Sequence, residues 1–215
     1  MSYTTRDLQA RLTSLGYNPG VIDGMKGRNT RKAANNALND RGLKYQSDLF
    51  DKSGLHRVHW HWAASSYNVS EELCSHYNGV SDHEGNHHEG GARPEHQADY
   101  RAGRVGVSHT LNGNTGAIGE AVTGMHGSSD YPFSWGDYPL TWAAIDMMLE
   151  KTAQHCHDFD IPVSRTSTLS HAEIQTTLGI RQNAKWDFMV LPGMDKVWDP
   201  VSIGDALRER LLRFL

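Results

Sequence analysis

Residues Leu169–Asp187 read LSHAEIQTTLGIRQNAKWD. The span opens near His171 and closes on Lys185-Trp186-Asp187, so an imidazole, an ammonium and a carboxylate fall within one short stretch. Far upstream, Val58–Ala64 reads VHWHWAA, whose aromatic and β-branched content marks a short strand beginning near Arg57. Alternation along that strand puts His59 and His61 on one face and Trp60 and Trp62 on the other. Between the two stretches, strand-like runs alternate with helical ones, which argues for an α/β domain built on a mixed sheet flanked by helices.

The intervening elements can be placed from local signals. Ser70 to Leu73 opens a short helix with acids in its first turn, where they suit the helix dipole. A hairpin-like region follows from Tyr77 to Asp82 and beyond. Gly116–Gly124, after a turn at Asn112-Gly113-Asn114, is the expected central strand. A long loop leads to the strongest helix, with Pro139 at or near its first turn and a stripe of Ile145, Met148, Leu149, Thr152, Cys156 and Phe159. His155 and His157 lie off or beside that stripe and are expected in solvent.

The N-terminal part reads differently. Leu8, Leu12 and Leu15 recur at helical spacing, Thr4 or Thr5 can cap, and Gly16 stops the helix. Turn residues at Asn18-Pro19-Gly20, Asp23-Gly24 and Lys26-Gly27 precede a second helix from Arg31 to Leu38, with Thr30 as its cap. Residues 40–54 are polar and aperiodic, with at most one helical turn. The expected division is an N-terminal module at 1–42, a linker at 43–54 and a second, larger domain at 55–215.

Composition narrows the classes. The chain has 215 residues, 38% of them hydrophobic, and 21 glycines, which favours loops and turns over a helical bundle. Lys and Arg total 21 against 25 acids, so no basic field points to nucleic acid. Cys74 and Cys156 lack metal or disulfide spacing and read as reduced thiols. No apolar run approaches the ~18 residues that span a membrane, and the N-terminus lacks a signal-peptide pattern. A monomeric protein, retained in the cytoplasm until something releases it, is expected. The 13 histidines are the outlier and bring metal into consideration.

Two resemblances go further. LQARLTSLGYNPGVIDGMKGRNTRKAANNAL, at 8–38, resembles the small three-helix peptidoglycan-binding module in its Leu15-Gly16-Tyr17, Asp23-Gly24 and Gly27–Thr30 positions, without the aromatic often found in the second helix. From about 55 to 194 the chain resembles the type-2 zinc N-acetylmuramoyl-L-alanine amidases, a family that includes phage amidase lysozymes and peptidoglycan recognition proteins. Four blocks occur in the family's order: His61–Ala64; Ser108-His109-Thr110 with Asn114–Gly119; Ser170–Ile174; and Lys185-Trp186-Asp187.

That resemblance implies a Zn2+ ion held by His61, His171 and Asp187, with Lys185 stabilising the oxyanion and Tyr77 assisting the water. It implies substrate contacts at His109, Asn114 and Thr115, and peptidoglycan as the partner. It further implies cleavage of the amide between N-acetylmuramic acid and L-alanine, in a wall-targeted enzyme of the phage endolysin kind. Two positions depart from the family: Asn78 replaces the usual histidine after the tyrosine, and Ala121 stands where some members have a catalytic glutamate. Glu120, one residue early, should face the other side of its strand. His59 shares the face of His61 and is a candidate either to orient a ligand or to replace one.

Two rivals make different demands. A non-catalytic recognition protein typically loses a ligand, whereas all three positions here hold competent side chains. His83-Glu84-Gly85-Asn86-His87 fits the HExxH pattern of zinc proteases, which requires a helix. Gly85 and Asn86 disfavour one there, and the stretch reads better as a hairpin turn.

Overall fold

A computed structural model describes residues 3–15, 17–40, 43–50 and 54–215. Gly16, expected to stop the first helix, lies outside them. Two separate apolar cores organise the described chain.

The smaller core joins α1 (Thr5–Ser14) and α2 (Arg28–Asp40). Thr4 caps α1 in a reciprocal box with Asp7, and Leu8 and Leu12 turn inward. The second helix starts earlier than expected, and Thr30 is not its cap. The Thr30 hydroxyl is buried, accepting from Gln9 Nε2 at 3.1 Å and donating to Pro19 O at 3.2 Å, so it ties the turn region to α1. Leu43 and Leu49, within the stretch expected to be a linker, are buried in this same core. A 3-10 turn at Gln46–Phe50 carries Leu49 there, and no third α-helix occurs among the described residues of this part.

The larger core surrounds a five-stranded mixed sheet. Its strands are β1 (Arg57–Trp62), β2 (Gly79–Ser81), β3 (His87–Glu89), β4 (Ala117–Val122) and β5 (Thr168–Ser170), in spatial order β3-β2-β4-β1-β5. Only the β2–β3 hairpin is antiparallel. The expected central strand is indeed the middle one. Every residue of β1 and β4 is buried, so both faces of the sheet are covered.

Helix α3 (Glu71–Cys74) is a single turn capped by Ser70. Helix α4 (Trp142–Asp158) covers the Trp60 face through Ala144, Ile145, Met148, Leu149, Thr152 and Ala153. Thr152 belongs in that apolar stripe because its hydroxyl accepts from Trp60 Nε1 at 2.9 Å. The helix begins at Trp142 behind a Thr141 cap, later than Pro139 suggested. The Tyr138 and Pro139 carbonyls are engaged elsewhere, by Met125 N–H and the Tyr67 hydroxyl.

Helix α5 (His171–Leu178) follows β5 without a break, and Gly179 ends it in the left-handed region at φ 71°. Helix α6 (Pro200–Leu211) closes the domain, capped by Asp199 with Pro200 in its first turn. No helix among the described residues is long and apolar enough to cross a membrane.

Candidate metal centre

Strand register assembles the site. Trp60 pairs with Ser170 across the parallel β1–β5 ladder, so the next residues, His61 and His171, come level at the carboxyl ends of neighbouring strands. That end of an open α/β sheet is where such folds place ligands. Asp187 arrives from the loop after α5. His61 and His171 are 1% and 3% exposed and Asp187 7%, so these polar groups must satisfy one another or a shared ion.

The three donor atoms form a compact triangle. His61 Nδ1 lies 3.0 Å from His171 Nδ1, and Asp187 Oδ2 lies 3.5 Å from each of these nitrogens. Zinc bonds of about 2.0–2.2 Å in a tetrahedral arrangement separate donor atoms by about 3.3 Å. The observed edges straddle that value, and the set of two imidazoles and a carboxylate suits zinc. These residues fit the ion.

The electrostatics agree. Burial pushes the His61 imidazole down to about 4, against the raising effect of Asp187, so it is neutral and ligand-competent at neutral pH. Burial pushes the Asp187 carboxyl up, but hydrogen bonds and charge from His171 and His61 outweigh it and hold the group well below its ordinary range. An ionised carboxylate therefore faces two imidazoles.

Around the triangle lies an open cleft of about 260 Å³ lined by Tyr77, His109, Asn183 and Lys185 as well as the triad. It shares His109, His171, Asn183 and Lys185 with an adjoining groove of about 520 Å³. Lys185 is exposed at the cleft wall. The Tyr77 ring sits 5.3 Å from that of His61, centroid to centroid. His109, Asn114 and Thr115 all line the adjoining groove, and all three are buried. The Asn114 side-chain oxygen accepts from the backbone N–H groups of His109 and Thr110 at 2.9 and 2.8 Å, so it shapes the loop that carries His109. Both ring nitrogens of His109 are engaged inside the protein, Nδ1 at 3.1 Å from His61 Nε2 and Nε2 at 3.0 Å from Ala117 O.

The departures from the family pattern resolve into local structure. Asn78 accepts from Gly119 N–H at 2.8 Å and donates to Ala92 O at 3.0 Å, bracing β2 against β4. Ala121 is level with His61, while Glu120 is level with Trp60 on the opposite face. There Glu120 is fully buried and accepts from His155 Nε2 at 2.9 Å. His155 was expected in solvent and is instead largely buried, because a buried carboxylate on the sheet needs a partner from α4. His157 is exposed, as expected.

His83 and His87 do not form an HExxH helix. Asp82 and Asn86 close a hairpin turn, Asp82 N–H donating to Asn86 O at 2.9 Å, and His87 lies on β3. Gln182 is the neighbour that sequence reading missed: its Oε1 lies 3.0 Å from His171 Nε2. Nothing in a single glutamine between α5 and Lys185 signals that contact.

No family model matches the chain, and no curated protein matches it. Among solved structures it is similar to the N-acetylmuramoyl-L-alanine amidase LysC from Clostridium intestinale, at 14% identity and a TM-score of 0.41, over 73% of this chain and 88% of that one. A likeness that loose carries neither the site nor its chemistry.

Proposed function

We propose that the chain is a zinc-dependent N-acetylmuramoyl-L-alanine amidase, cleaving the amide that joins the lactyl group of N-acetylmuramic acid to L-alanine. The observation that supports it most is the His61–His171–Asp187 triangle, whose edges of 3.0, 3.5 and 3.5 Å suit one tetrahedral ion in an open cleft. The four sequence blocks that resemble type-2 amidases contribute these same three residues and Lys185.

His61, His171 and Asp187 would hold the metal. A zinc ion bound there supplies a water that ionises near neutral pH and a Lewis acid for the scissile carbonyl. Lys185, exposed on the cleft wall, offers a fixed positive charge for the oxygen that becomes anionic as the amide carbon turns tetrahedral. Tyr77 keeps its proton, since burial and the Asp187 charge both raise it, so it acts as an O–H donor at the cleft. The groove past His109, Asn114 and Thr115 would take the rest of the muropeptide.

The N-terminal part built around the smaller core, which takes in Leu43 and Leu49, would be a wall-binding module that raises the local concentration of enzyme on an insoluble substrate. An amidase so equipped fits a phage endolysin that acts on the bacterial wall after its release from the host cytoplasm.

Elemental analysis of purified wild type and Asp187→Ala tests the reading. One zinc per chain in wild type and none in the variant is expected, together with loss of amide cleavage. Full zinc occupancy in a correctly folded Asp187→Ala protein would overturn it.

A further inference from the structure

A neutral imidazole presents a lone pair to a metal only on the nitrogen that lacks the proton, and the partner of the other nitrogen decides which one that is. The outward-facing nitrogens of both candidate ligands meet specific groups. His171 Nε2 lies 3.0 Å from Gln182 Oε1, and the Gln182 amide is oriented by its own Nε2, which donates to Leu111 O at 2.8 Å. His61 Nε2 lies 3.1 Å from His109 Nδ1, and His109 Nε2 lies 3.0 Å from the Ala117 carbonyl.

A carbonyl can only accept, so the direction of this chain is fixed from its far end. The His109 proton belongs on Nε2, which leaves Nδ1 to accept from His61 Nε2–H and puts the His61 lone pair on Nδ1, facing His171 and Asp187. We propose that His109 and Gln182 are positioning residues that hold His61 and His171 as Nε2–H tautomers and aim both Nδ1 lone pairs at one metal ion. This assignment rests on the metal reading above and gives His109 a task other than touching substrate.

Neighbouring groups are consistent with that direction. The Thr110 hydroxyl lies 3.0 Å from His109 Nδ1 and 3.1 Å from His59 Nδ1; taking the His59 proton and donating to His109, it meets the same Nδ1 lone pair and asks for no proton there. The Gln97 amide nitrogen lies 3.3 Å from His109 Nε2, yet the carbonyls of Val107, Asn114 and Ala117 at 3.1–3.2 Å take its two protons. The His109 ring rests on Gly119, where a Cβ would come within 2.5 Å of it. Asn114 holds the His109 backbone from the other side.

The test is zinc affinity, read by competition with a chromophoric chelator on the full chain, with melting of the metal-free proteins in parallel. His109→Leu and Gln182→Leu should bind zinc about 10–100-fold more weakly than wild type. His109→Asn and Gln182→Glu, whose oxygens can accept from the same N–H groups, should recover most of that loss. Long-range proton–nitrogen spectra of the zinc-loaded wild type should place the protons of His61, His109 and His171 on Nε2, a readout that stands even if a leucine variant fails to fold.

Leucine variants that bind zinc as tightly as wild type, or an Nδ1 proton on His109, would overturn the proposal while leaving the metal reading in place. Two zinc ions per chain would overturn it as well. They would put a metal among His59, His61 and His109, whose donor atoms also lie within 4.8 Å of one another. A wild type that takes up no zinc would remove the metal reading and this assignment together.

Discussion

At the cleft wall, burial and the adjacent Asp187 carboxylate raise the Tyr77 phenol above its ordinary range, so it remains a hydrogen-bond donor at every working pH. Tyr77→Phe removes that donor and keeps the ring against His61. Loss of one positioned donor in such a cleft typically lowers kcat by about 10²–10³-fold. A fall of that order with zinc content unchanged is expected from steady-state rates on a soluble muropeptide; an unchanged kcat would place Tyr77 outside the chemistry. Lys185→Met should behave likewise, since that side chain is exposed and carries no packing load. At this scale the sequence was a partial guide. Alternation along β1 sets His61 on the face away from Trp60, and the one-residue offset of Glu120 is visible too. The partners of His155 and His171 were not, because each depends on a residue brought in from another element.

At the scale of elements, the second imidazole is held by a buried ion pair. The Glu173 carboxylate accepts from Ser170 N–H at 2.8 Å at the start of α5 and from Arg208 of α6 at 2.7 Å. Arg208 also donates to Thr168 O at 2.7 Å, so α6 clamps both the strand before His171 and the helix after it. Removing one member of a buried pair costs about 3–5 kcal/mol. Glu173→Ala leaves Arg208 only the partly exposed Asp205 carboxylate at 2.9 Å, so the loss in denaturant unfolding should approach that range, and a loss below about 1 kcal/mol would show the clamp to be incidental. Asp199-Pro200 is an ordinary helix-start signal for α6, but it lies beyond the stretch, ending near residue 194, whose blocks resemble the amidases.

The β2–β3 hairpin offers an independent test. Burial pushes the Asp82 carboxyl up, but His88 and the amides of Asn86 and Glu84 outweigh it and hold it at about 2. A carboxyl lowered on folding stabilises above its unfolded value of 3.8, and that stability is lost as pH falls toward 2. Wild type should therefore lose more melting temperature than Asp82→Asn between pH 4 and 2. Parallel acid profiles would remove the carboxylate from the turn.

For the molecule as a whole, the α/β sheet was legible in the sequence, whereas the extent of the smaller apolar core was not. Leu43 and Leu49 lie in a polar, aperiodic stretch, and only the fold shows that they complete the smaller core. The candidate site was legible only as four separated blocks, since candidate ligands on β1, at the start of α5 and in the following loop leave no local spacing. Their convergence is a product of parallel strand register, which pattern along one strand does not encode. Zinc that binds only the folded chain should also stabilise it, by about 2.7 kcal/mol at a free concentration 100 times the dissociation constant. A melting temperature that chelator leaves unchanged would contradict binding at the triad.

The most direct measurement of the central claim is mass analysis of the products released from purified peptidoglycan by zinc-loaded wild type. Stem peptides with free L-alanine amino termini, alongside glycan strands whose muramic lactyl groups are intact, are expected, and their release should stop when the metal is removed. Wall fragments with cleaved glycosidic or peptide-crosslink bonds, or binding to the wall with no new L-alanine amino termini, would contradict it.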